Sequence, residues 1–522
     1  MQIAKRLSRA SEYFRQGLIE PARISYEAAL SAAEGHDAVR ARLGLSHVHL
    51  ARSDLREASG QMAMAARLAA DVGMPAAQRL DLVHSLLQFG EHRAAADVLS
   101  SIDPRELPGP TELMRAAACF RSLHMHDEAL SLLTAGFIRP GGDANDELAY
   151  HYAIQLNFCG EIVLSNALLK ALVERRCANT RAHLMLSRAS KTHDPEWLVR
   201  EIDHRLRTAV VDSESIAPLY FARFNELHRM GQYAGAWEAL EAGNASMKSR
   251  LRYDHARERA TLERLRSIRW DLIPDAPKSY ADGPQPIFIV GLPRSGTTLL
   301  ERMLGRHPEI TAIGELTDFS KQLRWVTNTP GVTYIDPLVA ERLGSAPFDV
   351  LGRRYLDQVA WRITSGRYFI DKQPPNVWAI GAIFRAIPRA RVIVVRRAPM
   401  DVCFSNYRAL FGDSYEYSYD LQWLAQHHRL FEEVLAFWGS VFGPRIHEVR
   451  YEDLVGDPER VLRATLCAMG LGWDSSCADP EQNNGPVATL SSAQVRESIH
   501  RRAIREWIPY ASRLEPLQSL LD

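Results

Sequence analysis

The stretch Pro286 to Leu304, PIFIVGLPRSGTTLLERML, leaves little freedom in how its surroundings fold. An apolar run too short for a helix, a turn with glycine at 291 and 296, and then helix-forming residues read as strand, tight loop and helix. A strand of this kind needs helices over a sheet to bury it, which places this half of the chain in the α/β class. The letters follow the phosphate-loop pattern G-x-x-x-x-G-K-[ST] at Gly291, Gly296 and Thr298, but Thr297 stands where the lysine belongs. Such a loop offers a phosphate its backbone N–H groups and the positive end of the following helix. Losing the lysine removes the reach toward a second and third phosphate, while Arg294 inside the loop supplies a planar fork near the first. A nucleotide with one reactive 5′ phosphoryl-anhydride unit fits this loop better than a triphosphate.

Further strands are expected at YFID (368–371) and RVIVVRR (391–397), with helices between them. That alternation predicts a parallel sheet with its ligand at the carboxyl ends of the strands. Residues 1–265 are written differently, rich in alanine and leucine and almost free of β-branched runs. Gly17, Gly90, Gly160 and Gly231 each sit in a helix-turn-helix phrase, at steps of 73, 70 and 71 residues. Half of each step is about 35 to 36, and weaker copies fill the midpoints, around Ser53 and Met125. The clearest phrases are ASEYFRQGLIEPARISYEAAL (Ala10 to Leu30) and LYFARFNELHRMGQYAGAWEAL (Leu219 to Leu240). The expectation is an α-helical solenoid over 1–265, with an irregular helical bundle as the alternative. Three prolines in 266–285 read as a linker, and 286–522 as the α/β domain.

At 522 residues the chain is long enough for two domains. Its 63 basic residues balance 63 acidic ones, which argues against a general nucleic-acid binder. No apolar run approaches the roughly 20 residues of a membrane span. The opening MQIAKRLSRASEYFRQG reads as an amphipathic helix without a signal-peptide core, so a cytoplasmic location is expected. The six cysteines are scattered without a C-x-x-C pair, and are read as reduced and structural, with no metal site.

The phrase GLPRSGTT resembles the 5′-phosphosulfate loop of sulfotransferases, which use 3′-phosphoadenosine-5′-phosphosulfate (PAPS), and its wording is most similar to the tyrosylprotein sulfotransferases. Together with the helical phrases, the whole chain resembles the bacterial tetratricopeptide-repeat-containing sulfotransferases. The resemblance implies that Arg294, Ser295, Gly296, Thr297 and Thr298 hold the 5′ end of the donor. It implies that Arg397 and Ser405, in VVRRAPMDVCFSNYR, hold its 3′-phosphate; Arg396 is the alternative register, and Arg408 a further contributor. Glu315, in TAIGELTDF, matches the proposed base, and Lys372, in FIDKQPPN, the cation on the bridging oxygen. Asp371, Gln373 and Pro375 around Lys372 depart from the family's N-K-D-P phrase. Ser491, with Ser492 beside it, matches a serine near the transferring group, and Arg496, Arg501 and Arg502 either cover the nucleotide or form an exposed face. Tyr451 and Glu452 either line the pocket or pack and cap a helix.

Against these readings, Glu315 is also a plausible helix cap and Lys372 a surface lysine. His307, in GRHPEI, reads as the end of a helix rather than a base, and His427 and His428 as bystanders on an amphipathic helix. The expected function is sulfuryl transfer from PAPS to a hydroxyl acceptor, without a metal, the repeats binding substrate or a peptide or protein partner. The alternatives are a P-loop kinase or NTPase, and a repeat scaffold with a silent nucleotide pocket. Thr297 argues against the first, as do Arg396 and Arg397 where a Walker-B aspartate would stand.

Overall fold

The computed structural model describes residues 2–139, 141–189, 193–208, 213–277, 283–331, 334–479, 483, 485–487, 499 and 501–521. Up to Ser267 the chain is helical. Helices Gln2–Arg15 and Ile19–Leu30, Ala76–Phe89 and His92–Ser100, Asp146–Cys159 and Ile162–Glu174, and Ser213–Arg229 and Tyr233–Arg250 form hairpins turning at Gly17, Gly90, Gly160 and Gly231. These glycines are all left-handed, with φ between 73° and 93°, a conformation that closes a helix without a Cβ penalty. The hairpins of the weaker phrases, Gly35–Ala51 with Leu55–Asp71 and Pro110–Ser122 with His126–Phe137, keep the same turn but put side chains there. Ser53 has φ 60° and His124 has φ 61°. Buried serines tie paired helices: Ser46 Oγ donates to the Ala58 carbonyl at 2.8 Å and Ser165 Oγ to that of Ala153 at 2.7 Å.

Downstream, β1 (Gln285–Gly291), β2 (Ile310–Ala312), β3 (Tyr368–Asp371), β4 (Arg391–Arg396) and β5 (Ile446–Arg450) pair in parallel in the order β2-β3-β1-β4-β5. β1 is central, with Phe288 opposite Asp371 on one side and Val392 on the other. Its residues are buried on both faces, as a sheet covered by helices on both sides requires. Ile287 and Ile289, with Ile370 and Val395, pack on Leu300, Leu304 and Leu462. Phe288 and Val290, with Phe369 and Val394, pack the other way, on Phe319, Tyr355 and Ile383.

The second of these cores also contains Ala153, Leu169, Phe221 and Trp237 from the helical part. The sheet and the later hairpins are therefore continuous in their packing. The proline-rich connection joins in as well: Trp270 is buried against Trp438 at 5.3 Å and donates Nε1–H to the Leu265 carbonyl, while Ala276 N–H bonds the Arg385 carbonyl.

Candidate active site

Each of the five strands delivers a candidate side chain just past its carboxyl end, where the ligand of an open parallel sheet binds. β1 runs into the loop with Arg294, β2 into Gly314 and Glu315, β3 into Lys372, β4 into Arg397 and β5 into Tyr451.

The loop is fixed from outside. Asn406 Nδ2 donates to the Pro293 carbonyl at 2.8 Å, and an Arg397 guanidinium N–H donates to the Arg294 carbonyl at 2.9 Å. Arg294 is left-handed at φ 66° and its Nε lies 3.4 Å from Ser405 Oγ. Gly296 has φ 105°, and a Cβ on it would meet the Tyr451 ring at 2.5 Å. The same ring carries the Arg397 guanidinium 4.7 Å from its centroid. The helix begins at Thr297. Burial, and then the guanidiniums of Arg408, Arg397 and Arg188, bring the Arg294 pKa down to about 9. Such crowding of cations raises the local positive potential, which favours an anion. Ser295 Oγ and Arg397 Nε are buried without a hydrogen-bond partner among the described residues.

Across the loop, the fully buried Lys372 ammonium donates to the Glu315 carboxylate and lies 3.7 Å from that of Glu301. Burial lowers the lysine's pKa, but Glu315 and Glu301 outweigh it and hold the group above its ordinary value. The Lys372 N–H bonds the Gly314 carbonyl at 3.0 Å, which seats the end of β3 on the segment that carries Glu315. Next door, burial first and then nearby acids raise the Asp371 carboxyl well above the usual range, and the Tyr355 hydroxyl donates to it at 2.9 Å.

A family model described as "Sulfotransferase family" matches residues 286–475, which contain all but the first residue of β1, the strands β2 to β5, and Arg294, Glu315, Lys372, Arg397, Ser405 and Tyr451. The match is to this part of the chain alone, and it makes residues 286–475 similar to the sulfotransferase family. An uncharacterised protein of Aquifex aeolicus is 27% identical over 62% of this chain and 44% of its own length. Protein-tyrosine sulfotransferase 2 of Gallus gallus is 23% identical over 42% of this chain and 62% of its own length. The chain thus spans less than two thirds of each of these relatives. The solved sulfotransferase domain from the curacin biosynthetic pathway aligns at 18% identity over 44% of this chain and 98% of that one, with a TM-score of 0.28.

Between the glycine-rich loop and the helical part lies a cavity of about 570 Å³. Arg294, Thr297, Thr298 and Glu315 line one side, and Tyr150, Phe158, Arg181 and Arg188 face them. Burial brings the Arg188 pKa down to about 10.

The sequence reading left some groups undecided, and the geometry separates them. Arg397 faces the loop, whereas Arg396 pairs with Glu432 and lies 3.6 Å from Glu448. Glu452 caps the helix Pro399–Tyr407 by accepting the Ala398 N–H at 2.9 Å, while Tyr451 packs on the loop. Arg408 pairs with Glu506 beside Arg294. Ser491, Ser492 and Arg496 fall outside the described residues, and Arg501 and Arg502 are exposed. His307 is buried, its Nε2 3.2 Å from the Gly472 carbonyl and its Nδ1 accepting from Glu309 N–H, which is a structural role. His427 stacks on Tyr417 at 3.6 Å and bonds Glu258.

Four residues escaped the sequence reading: Glu301, Asn406, Glu506 and Arg188. Each reads locally as an ordinary helix or turn residue; the fold sets Glu301, from the loop's own helix, beside Lys372, and brings Asn406, Glu506 and Arg188 to the loop.

Proposed function

We propose that the chain is a sulfotransferase that moves a sulfuryl group from PAPS to a hydroxyl acceptor. The observation that carries this reading is the convergence of Arg294, Glu315, Lys372 and Arg397 past four strand ends, around a loop with Thr297 in the lysine position. The buried, unpartnered donors Ser295 Oγ and Arg397 Nε support it, because an anionic ester satisfies such groups with charge-assisted hydrogen bonds.

On this reading the N–H groups of the loop, with Ser295, Gly296, Thr297 and Thr298, hold the 5′ end of the donor. Arg397 and Ser405 hold its 3′-phosphate, and Tyr451 backs both. Bound there, PAPS supplies the activated sulfuryl group. Glu315 takes the proton of the acceptor hydroxyl, and Lys372 and Arg294 face the negative charge that grows on the leaving phosphate. Ser491 belongs beside the transferring group by resemblance alone. The cavity between loop and helices would take the acceptor, a hydroxyl compound or a tyrosine-bearing peptide.

The division into a repeat domain (1–265), a linker (266–285) and a catalytic domain (286–522), with a partner on the repeats, is part of the proposal. So is a cytoplasmic setting, supported by six cysteines that stand as free thiols. Calorimetry on the intact chain tests the core of it, comparing 3′-phosphoadenosine-5′-phosphate with ADP and ATP. Clear preference for the 3′-phosphorylated ligand is expected. Preference for ATP would return the chain to the kinase reading, and no binding of any of them to the scaffold.

A further inference from the structure

The left-handed turn of each helix hairpin is a place for glycine, and four hairpins have it. In the hairpin of Pro110–Ser122 and His126–Phe137 the turn holds His124 at φ 61° instead. A side chain in that conformation costs about 1 kcal/mol, and such strain gathers at functional positions. What it delivers is a contact with the site. His124 Nε2–H donates to the backbone carbonyl of Glu315 at 2.9 Å, which fixes the tautomer, since the carbonyl can only accept.

The receiving side is shaped for this ring. Gly314 is left-handed at φ 84°, and a Cβ on it would meet His124 Nδ1 at 2.6 Å. His126 packs edge-on to the ring with centroids 5.7 Å apart. The neighbouring turn docks on the same segment: the Gly90 carbonyl accepts from Gln322 Nε2 at 2.7 Å, and His92 Nδ1 meets the Asp318 carboxylate at 2.8 Å. Arg362 closes the group, bonding the Leu123 carbonyl at 3.3 Å and Asp318 at 3.1 Å.

We propose that His124 is a positioning residue: from the helical part of the chain it pins the backbone of Gly314 and Glu315, and so sets the Glu315 carboxylate against Lys372 and the loop. The catalytic constellation is then complete only with the helical part in place. The inference rests on Glu315 acting in the proposed sulfuryl transfer.

Three variants of the full-length chain test it. His124→Gly restores the glycine usual at this turn, so the hairpin folds without strain while the bond to Glu315 is gone. It should lower kcat roughly ten- to a hundredfold and leave the affinity for 3′-phosphoadenosine-5′-phosphate within about twofold, since small displacements of a reacting group cost this much. Backbone hydrogen exchange over residues 313–318 should quicken. His124→Gln, which keeps a side-chain N–H, should recover most of both effects. Arg56→Ala loses a different contact of the same interface, to the Trp325 carbonyl at 3.1 Å, and should behave as the parent.

Unchanged exchange over 313–318 or unchanged kcat in His124→Gly overturns the proposal, as does an equal loss in Arg56→Ala. If the parent fails to bind 3′-phosphoadenosine-5′-phosphate, the sulfotransferase reading falls, and the exchange data still decide whether His124 holds the segment.

Discussion

The Lys372 ammonium is wholly enclosed and hydrogen bonded to the Glu315 carboxylate, with Glu301 as a second acid 3.7 Å away. The pair joins the ends of β2 and β3 across from the loop. Glu315→Ala should therefore cut turnover by about a hundredfold or more, the usual range for losing a general base. Binding of 3′-phosphoadenosine-5′-phosphate should persist in calorimetry; its loss would make Glu315 a structural residue.

Arg397 and Ser405 meet at Arg294, one through its carbonyl and the other near its Nε. Arg397→Ala and Ser405→Ala should weaken the 3′-phosphorylated nucleotide far more than its 3′-hydroxyl analogue. For Arg397 the difference should be about 1.5 to 3 kcal/mol, as expected of a charged hydrogen bond. Equal weakening of the two ligands would remove the assignment of the 3′ site.

Gly296 combines a left-handed backbone with the Tyr451 ring 2.5 Å from where a Cβ would sit. Gly296→Ala should destabilise the chain by about 1 to 3 kcal/mol in denaturant titration, the range for a strained backbone position. Adding Tyr451→Ala should relieve the steric part and leave the conformational part, so the two changes should not be additive. Strict additivity would mean that the ring does not press on the loop.

His124 is half-buried, and desolvation, with His126 and Arg362 beside it, brings its pKa down to about 3. A group that is neutral when folded but protonates when unfolded stabilises the fold fully above about pH 6.5. That contribution drains away as the pH falls from there toward 3. The His124→Gln variant should lose less stability than the parent between pH 6.5 and 4 in thermal melts. Parallel pH curves would show that the ring is not held neutral.

Arg188 comes from the helical part and faces Arg294 across the cavity. Arg188→Ala should raise the acceptor KM several-fold and leave the donor affinity unchanged. A loss of donor binding instead would place Arg188 on the nucleotide.

The strand-loop-helix of 286–304 was fixed by local pattern, as were the turn glycines at 17, 90, 160 and 231, because backbone conformation follows apolar periodicity and the freedom of glycine. Arg294, Glu315, Lys372 and Arg397 could be named because their short phrases resemble those of a known family, and the structure sets each within a few residues of a strand end. What the phrases left open was decided by the strand order β2-β3-β1-β4-β5, which sets partners far apart in the chain side by side. That order puts Arg397 on the loop and turns Arg396 to Glu432, and it makes Glu452 a helix cap while Tyr451 meets Gly296. The packing of the helical hairpins into the sheet's own core likewise has no local signature. His124 shows why: in sequence it is one more side chain in a degenerate turn, and only the docking of that turn on Gly314 gives the ring its partner.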